Sequence, residues 1–169
     1  MKAHERQNRR GSKLPYIVHP LEVASILTKY SPSPIGYCIA LLHDVLEDTD
    51  MKPQEMIAKL VKGGVTPYDA KTITEGVESL TKRKGQDYNQ KLRNAAYLPQ
   101  LVKLCDIQAN VSDPYGCTKD RLEKYIPKKM ENLRMLDRVA QTPAFIDTFY
   151  TLQSIDTFYS LQEGTKNAG

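Results

Sequence analysis

Apolar residues recur at helical spacing along almost the whole chain, and this pattern restricts the fold more than any other feature of the sequence. Strand signals are nearly absent, because there is no Asn-Gly or Asp-Gly turn and no sustained alternation of apolar and polar residues. The pattern predicts an all-α bundle. Residues 34–48 are expected to form one amphipathic helix, whose apolar residues follow the i, i+3, i+4, i+7 rule: Ile35, Cys38, Ile39, Leu42 and Leu46.

Start and stop signals divide the rest of the chain into further helices. Pro20 stands in the first turn of a helix that continues through LEVASILTKY, and Thr66-Pro67 begins another. Gly63 closes a short helix that precedes Thr66. Helices are also expected over three later stretches: GQDYNQKLRNAAYL, PQLVKLCDIQANV and residues 119–140, the last with an interruption near Pro127.

The size and composition fit one domain. With 169 residues, of which 40% are hydrophobic, the chain can bury a core of its own. We expect residues 1–140 to form this domain and residues 141–169 to form a C-terminal helical tail. No apolar run approaches the ~20 residues that cross a membrane, and no apolar stretch follows the basic N-terminus. The expected location is therefore the cytoplasm, where three cysteines without CxxC spacing would remain free thiols.

The tail contains a tandem repeat of nine residues. Residues 146–154 read IDTFYTLQS, and residues 155–163 read IDTFYSLQE. At about 100° per helical residue, nine positions rotate the second copy by about 180° relative to the first. One continuous helix therefore cannot bury both copies against the same surface. We expect the second copy to fray or to pack on a partner, and homo-oligomerisation through this aromatic tail is one interpretation.

Four ionisable side chains lie close together in the stretch ALLHDVLEDT: His43, Asp44, Glu47 and Asp48. On a helix, positions three and four apart share a face, so Asp44 is a neighbour of both other carboxylates. Three carboxylates so close together repel one another, and burial of an unpaired charge is unfavourable. A multivalent cation is the simplest way to make such a cluster stable.

Two other segments supply similar groups in apolar surroundings. His19 precedes a helix, and Asp106 shares a helix face with Asn110. A lone His-Asp pair is usually a surface pair or a capped helix end. Together, however, two imidazoles and two carboxylates make a suitable ligand set for Mn, Fe, Zn or Mg, with positions left for water and substrate: His19, His43, Asp44 and Asp106.

The order His19, then His43-Asp44, then Asp106 resembles the H…HD…D signature of the HD-domain metal phosphohydrolases. Four segments are similar to the hydrolase domain of RelA/SpoT proteins, and more similar still to the small stand-alone alarmone hydrolases: RQNRRGSKLPYIVHPLEVASIL, ALLHDVLEDT, EGVESLTK and VKLCDIQANVSD. The resemblance runs from about residue 3 to about residue 138. It implies an HD-domain helical bundle that hydrolyses the 3′-pyrophosphate of ppGpp or pppGpp to GDP or GTP and pyrophosphate.

The resemblance also implies a role for each site residue. One Mn²⁺ ion would be held by four ligands, His19, His43, Asp44 and Asp106, although such ligands accept other divalent metals too. Glu47 and Asp48 would be the catalytic pair that positions and activates the attacking water. Substrate contacts would come from Arg9 and Arg10 at the guanine base, Lys82 near the pyrophosphate, and Asn110 at the sugar or a nearby phosphate.

Elementary chemistry agrees with these roles. Hydrolysis of a pyrophosphate needs a nucleophilic water and stabilisation of phosphoryl charge, and a divalent metal supplies both. The ligands are acidic while the substrate is a polyanion, so the basic segments QNRRG and TKRKG would offset the repulsion. An Arg side chain can also stack on a purine ring, which Lys cannot do. Arg83 and Lys84 are expected to face solvent.

Two other functions stay open from the sequence. The same site could act on another 2′- or 3′-phosphorylated substrate, such as NADPH or a pyrophosphorylated tRNA end, although the net charge of +4 does not indicate a large nucleic-acid surface. The other alternative is a non-catalytic nucleotide-binding or antitoxin-like module, but such modules usually lack a ligand or the Glu-Asp pair. The expected partner is therefore a small guanosine nucleotide rather than a nucleic acid or a membrane.

Overall fold

A computed structural model describes residues 7–9, 13–112 and 119–166. Within these ranges the chain forms helices, turns, loops and one isolated bridge between Asn8 and Pro15, so the predicted all-α fold is confirmed. The helices are α1 (Val18–Leu27), α2 (Pro34–Leu42), α3 (Val45–Asp48), α4 (Pro53–Lys62), α5 (Pro67–Leu80), α6 (Tyr88–Asn94), α7 (Tyr97–Ser112), α8 (Lys119–Leu133) and α9 (Pro143–Lys166), with a 3₁₀ turn over Asp137–Val139. None of the described helices combines the length and the apolar character that a bilayer span requires.

Side-chain caps and prolines begin several of these helices. The Thr66 hydroxyl accepts a hydrogen bond from the Asp69 N–H at 3.1 Å, and a proline occupies the first turn of α5. Ser33 caps α2 in the same way through the Gly36 N–H at 3.2 Å. The predicted stop at Gly63 is also found, since this glycine follows the last residue of α4. A capping side chain followed by a proline therefore marks the start of both α2 and α5.

The structure corrects the prediction of one helix over residues 34–48. α2 ends at Leu42 and α3 begins at Val45, with Asp44 at φ −96° and ψ −9° between them. The interruption is slight, because His43 (φ −56°, ψ −32°) and Asp44 both keep right-handed helical backbone angles. At this point of the chain His43 Nε2 lies 3.1 Å from Asp44 Oδ2.

The predicted helix over residues 119–140 is wrong in two respects. Pro127 lies inside α8 without interrupting it, and α8 ends at Leu133. Pro127 is exposed, where water can satisfy the backbone groups that a proline leaves without a partner. The chain then turns, and Leu136 and Val139 pack into the core from the segment that leads to α9.

α7 is the central helix of the bundle. It packs against α1, α2, α5 and α9, and six of its apolar side chains are completely buried: Leu101, Val102, Leu104, Cys105, Ile107 and Ala109. A helix that is apolar on nearly all sides is typical of a core position. Asp106 stands on this helix and is only 6% exposed, so its carboxylate requires cations or hydrogen-bond donors around it.

Gly76 allows α5 to approach α2 closely. A Cβ at this position would lie 2.6 Å from Ile39 Cδ1 and 3.3 Å from Pro99 Cγ. α2 also packs against α7, so the helix that leads into His43 is held from two sides. The core thereby fixes the backbone from which the clustered ionisable residues project.

The two copies of the nine-residue repeat differ in burial. α9 packs on α7 and α8, and in the first copy Thr148 and Leu152 are buried, with Gln108 Nε2 donating to Thr148 Oγ1 at 2.8 Å. In the second copy Thr157 and Phe158 are exposed. This contrast follows from the half-turn rotation between the copies. The division of the chain at residue 140 stays a prediction.

Candidate active site

Two histidines and two aspartates from separate elements meet at one point. His19 lies in the first turn of α1, His43 and Asp44 lie between α2 and α3, and Asp106 lies on α7. His19 Nε2 is 3.2 Å from Asp106 Oδ1 and 3.8 Å from Asp44 Oδ2. His43 Nε2 is 3.1 Å from Asp44 Oδ2 and 3.8 Å from Asp106 Oδ1. The structure thus brings together the four residues that the sequence indicated as metal ligands.

Two of these four distances match those between ligand atoms of one shared cation, and the two at 3.8 Å are slightly longer. At metal–ligand distances of about 2.0–2.2 Å, the ligand atoms of one ion stand roughly 3.0–3.6 Å apart. His19, His43 and Asp106 are all buried, and each offers an atom within 4.8 Å of the others. His43 Nε2 is itself buried and has no hydrogen-bond partner among the described residues. These residues could therefore hold a divalent metal.

The orientation of the His43 ring is fixed by its own helix. His43 Nδ1 lies 2.7 Å from the Ala40 carbonyl oxygen, and the nitrogen must be the donor because a carbonyl only accepts. This hydrogen bond leaves Nε2, the atom beside Asp44 Oδ2, as the ring nitrogen available to a metal. The end of α2 therefore selects which nitrogen faces the carboxylates.

Neighbouring donors hold the two carboxylates in place. The Tyr16 hydroxyl donates a hydrogen bond to Asp44 Oδ2. Lys103 Nζ donates to Asp106 Oδ2 at 2.6 Å, and Asn110 Nδ2 donates to Asp106 Oδ1 at 2.5 Å. One oxygen of Asp106 consequently faces the lysine, while the other faces the histidines.

Burial and charge act against each other on the pKa values in this cluster. Burial alone would lower the pKa of His43, but the carboxylates of Asp44 and Asp106 raise it to about 9. Burial would raise the pKa of Asp44, but His43 lowers it to about 2. Burial would raise the pKa of Asp106 too, but the Lys103 ammonium group holds it well below its usual range. Without a metal, a proton on His43 offsets the carboxylate charge, and a divalent cation would displace that proton.

The cluster opens into a cleft of about 280 Å³. Glu47 and Asp48 line this cleft together with the clustered residues. Glu47 Oε2 accepts a hydrogen bond from the Lys82 backbone N–H at 2.7 Å, and Glu47 Oε1 is 3.9 Å from Lys82 Nζ. The basic side chains that line the cleft are Arg9, Lys82, Lys103 and Lys129. Such a cleft can bind a polyanion next to a metal.

Comparisons with known proteins agree with this geometry, although no family model matches the sequence. The probable guanosine-3′,5′-bis(diphosphate) 3′-pyrophosphohydrolase of Mycoplasma genitalium is 32% identical over 108 residues, covering 63% of this chain. The guanosine-3′,5′-bis(diphosphate) 3′-pyrophosphohydrolase of Aquifex aeolicus is 31% identical over 137 residues, covering 76% of this chain. A solved metazoan orthologue of SpoT that hydrolyses ppGpp superposes with a TM-score of 0.68 at 21% identity, over 89% of this chain and 86% of that chain. The chain is an HD-domain protein of the RelA/SpoT type.

The curated relatives of this RelA/SpoT-type chain are much longer proteins. The chain spans 14% of the length of the Mycoplasma relative and 18% of the length of the Aquifex relative. The metazoan orthologue, in contrast, is matched over most of its length, and at its identity it shows the fold. The match therefore establishes the all-helical HD-domain bundle for nearly the whole chain.

The RelA/SpoT-type cleft includes three of the four residues predicted to contact substrate. Arg9 is 8% exposed, with Nη2 3.9 Å from Glu22 Oε2. Lys82 Nζ lies 5.1 Å from the centroid of the Tyr88 ring. Asn110 lines the cleft, although its amide donates to Asp106. The fourth residue, Arg10, lies outside the described residues.

Two predictions about the basic segments differ in outcome. Arg83 and Lys84 are exposed, as expected, and Arg83 Nη2 is 3.6 Å from Glu78 Oε1. Lys82, the first residue of the same basic run, instead reaches the cleft. The Lys82 N–H also donates a hydrogen bond to Glu47 Oε2, which holds this residue beside the cleft.

Five residues that line the cleft were not predicted from the sequence: Tyr16, Leu80, Lys103, Tyr125 and Lys129. Lys103 precedes Asp106 by one helical turn, so the helical period alone could have paired them. Tyr16 reaches Asp44 across 28 positions of sequence, and no local signal predicts that contact. Lys129 was equally inaccessible to sequence reasoning, because its place depends on how α8 crosses the bundle.

Proposed function

We propose that this chain hydrolyses the 3′-pyrophosphate of ppGpp and pppGpp in a metal-dependent reaction, giving GDP or GTP and pyrophosphate. The observation that carries the proposal is the convergence of two histidines and two aspartates beside a cleft that also holds a Glu-Asp pair and several basic side chains. The names of the Mycoplasma and Aquifex relatives support this substrate. The proposed compartment is the cytoplasm.

In this proposal one Mn²⁺ ion is held by four ligands: His19, His43, Asp44 and Asp106. When bound, the metal lowers the pKa of a water molecule and withdraws charge from a phosphate oxygen. Nitrogen and oxygen ligands of this kind suit Mn²⁺, which is softer in its ligand preference than Mg²⁺. The chain contributes the fixed Nε2 of His43 and the Asp106 oxygen that faces away from Lys103.

Glu47 is the proposed acceptor of the proton from the attacking water. Its Oε2 is held by the Lys82 N–H at 2.7 Å, so the carboxylate has a fixed position at the edge of the cleft. A carboxylate in hydrogen-bond reach of the water can take up a proton as the new phosphate bond forms. Asp48 is proposed to orient the same water from the neighbouring position.

The basic side chains of the cleft are proposed to bind the nucleotide. Arg9 presents a planar guanidinium that can stack on guanine. Lys82 lies beside Glu47 and can approach the pyrophosphate. Asn110 stands beside Asp106 and is proposed to contact the sugar or a phosphate when the substrate is present.

A substrate panel with Mn²⁺ tests the proposal. The purified chain is incubated with ppGpp, pppGpp and NADPH, and release of pyrophosphate and phosphate is followed. We expect pyrophosphate from the two guanosine nucleotides. Asp44→Ala should abolish turnover because it removes a ligand, whereas Glu47→Gln should reduce kcat by about 10²-fold or more while metal binding stays nearly intact.

Glu55→Gln is the matched control for Glu47→Gln. Glu55 is exposed on α4 and pairs with Lys59 at 3.3 Å, away from the residues of the cleft. Its variant should retain the wild-type rate. A wild-type rate in Glu47→Gln would contradict the assignment of the proton acceptor, and release of phosphate from NADPH alone would contradict the substrate.

A further inference from the structure

Lys129 on α8 is a basic side chain buried in the helical bundle. Only 6% of the residue's surface is exposed. No carboxylate of the described residues lies within 4.0 Å of its ammonium group, in contrast to Lys103, which pairs with Asp106 at 2.6 Å. Lys129 Nζ lies over the ring of Tyr125, 4.7 Å from the ring centroid.

The groups around Lys129 also disfavour its protonated form. Burial lowers its pKa to about 7, and the neighbouring ammonium groups of Lys103, Lys82 and Lys128 act in the same direction. The charge of Asp106 opposes the shift but is shared with Lys103 and the two histidines. A buried ammonium group among other cations destabilises a fold unless an anion joins it.

Lys129 lines the same cleft as the metal ligands and the Glu-Asp pair. The charges of the other two lysines there are already engaged, since Lys103 contacts Asp106 and Lys82 contacts Glu47. Lys129 is therefore the cleft lysine whose charge the described residues leave uncompensated. A polyanionic ligand in the cleft would supply the missing negative charge.

We propose that Lys129 binds a phosphate group of the substrate directly and forms a phosphate subsite on α8. The inference rests on the proposed function for the identity of the substrate. Two groups of a 3′,5′-bis-diphosphate share the required chemistry, the outer phosphate of the 3′-pyrophosphate and the 5′-diphosphate. An ammonium group offers three donors and a compact charge, which suits either phosphate.

The test compares Lys129→Met with Lys128→Met in the full chain loaded with Mn²⁺. Lys128 is the matched control, because it precedes Lys129 on α8 but is exposed. Binding of inorganic pyrophosphate and of GDP is measured by calorimetry, and KM for ppGpp is measured in parallel. Lys129→Met should weaken at least one of the two ligands by about tenfold or more and raise KM. Lys128→Met should change each value by less than about twofold.

The two ligands distinguish the two phosphate sources. A loss confined to pyrophosphate places Lys129 at the outer 3′-phosphate, and a loss confined to GDP places it at the 5′-diphosphate. Lys129→Arg retains the charge and should recover part of the lost affinity. Unchanged binding of both ligands in Lys129→Met would overturn the proposal.

Thermal unfolding separates this role from a structural one. If Lys129 serves ligand binding, Lys129→Met removes an unfavourable buried charge, and the ligand-free variant should melt at or above the wild-type temperature. A lower melting temperature with unchanged ligand affinity would assign Lys129 to packing instead. Wild-type protein that bound pyrophosphate through Lys129 yet released nothing from ppGpp would contradict the proposed function while leaving the subsite intact.

Discussion

At the scale of single residues, Asp106 shows how the fold tolerates a carboxylate on its central helix. Three donors contact its two oxygens: Lys103 at 2.6 Å, Asn110 at 2.5 Å and His19 at 3.2 Å. Lys103 is as buried as Asp106, so the pair has little access to solvent. Breaking such a pair from one side leaves a buried charge without compensation.

Lys103→Met should therefore destabilise the metal-free chain by about 3 kcal/mol or more, measured by urea denaturation in EDTA. Combining it with Asp106→Asn should recover much of the loss, since the double variant leaves no buried charge unpaired at this pair. Lys71→Met is the control, because Lys71 and Glu75 form an exposed pair that contributes at most about 1 kcal/mol. Equal urea midpoints for wild type and Lys103→Met would show that the pair does not stabilise the fold.

His43 gives the metal-free chain a pH dependence. Its pKa rises from an ordinary value near 6.5 to about 9 on folding. Its contribution is thus complete below pH 6.5 and is lost as the pH rises through 9. The free-energy difference between wild type and His43→Gln should shrink by roughly 3 kcal/mol over this range, measured by urea denaturation in EDTA at several pH values.

The comparison with His43→Gln is needed because Lys129 acts in the opposite direction. The folded-state pKa of Lys129 is lowered to about 7, so its contribution makes the chain more stable as the pH rises above 7. Wild type and His43→Gln both contain Lys129, so its effect largely cancels in the difference between their free energies of unfolding. A difference that is constant between pH 6.5 and 9 would contradict the raised pKa of His43.

The sequence indicated some of these residues and could not indicate others. His19, His43, Asp44 and Asp106 stood out because ionisable groups in apolar surroundings need a common explanation, and the structure brings them together. The roles assigned to individual site residues stay predictions. Lys129 carried no signal, since a lysine on an amphipathic helix ordinarily faces solvent and only the packing of α8 determines otherwise.

At the scale of elements, helix starts were predicted better than helix ends. A cap and a proline are local chemistry, which explains the agreement at α5. The break between α2 and α3 lies at His43 and Asp44, where neither glycine nor proline marks it in the sequence. The end of α8 at Leu133 is likewise not marked by glycine or proline, and Leu136 beyond it packs into the core.

α9 allows a direct test of the difference between the two repeat copies. Leu152→Ala should destabilise the chain by about 2–4 kcal/mol, because Leu152 is completely buried against the bundle. Phe158→Ala, at a residue that is 56% exposed, should change stability by less than about 1 kcal/mol. Urea denaturation of both variants checks the contrast.

A large loss of stability in Phe158→Ala at all protein concentrations would contradict the exposure of the second copy. A loss of stability that appears only at high protein concentration would instead support the predicted self-association through the tail, because a partner would then cover Phe158. Size-exclusion chromatography of the same variant distinguishes these results.

At the scale of the whole molecule, the metal is expected to join three separate parts of the chain. Its ligands come from the start of α1, the break after α2 and the middle of α7. An ion that binds only the folded state stabilises it by about 2.7 kcal/mol at a hundredfold excess over its Kd. For a chain of this length, that should raise the melting temperature by about 5–10 °C.

Thermal unfolding with Mn²⁺ and with EDTA measures this shift. Glu47→Gln should keep the shift, since Glu47 is not a proposed ligand, whereas Asp44→Ala should lose most of it. An equal shift in wild type and Asp44→Ala would mean that the ion binds elsewhere.

The hydrogen bond from His43 Nδ1 to the Ala40 carbonyl has a further consequence. The last carbonyl groups of a helix lack partners within the helix, and His43 supplies one of them at the end of α2. An aspartate or a cysteine at this position could still bind a cation, but neither could donate to Ala40 when ionised. Position 43 therefore has two requirements, a metal ligand and a donor to the last turn of α2. An imidazole meets both with its two ring nitrogens.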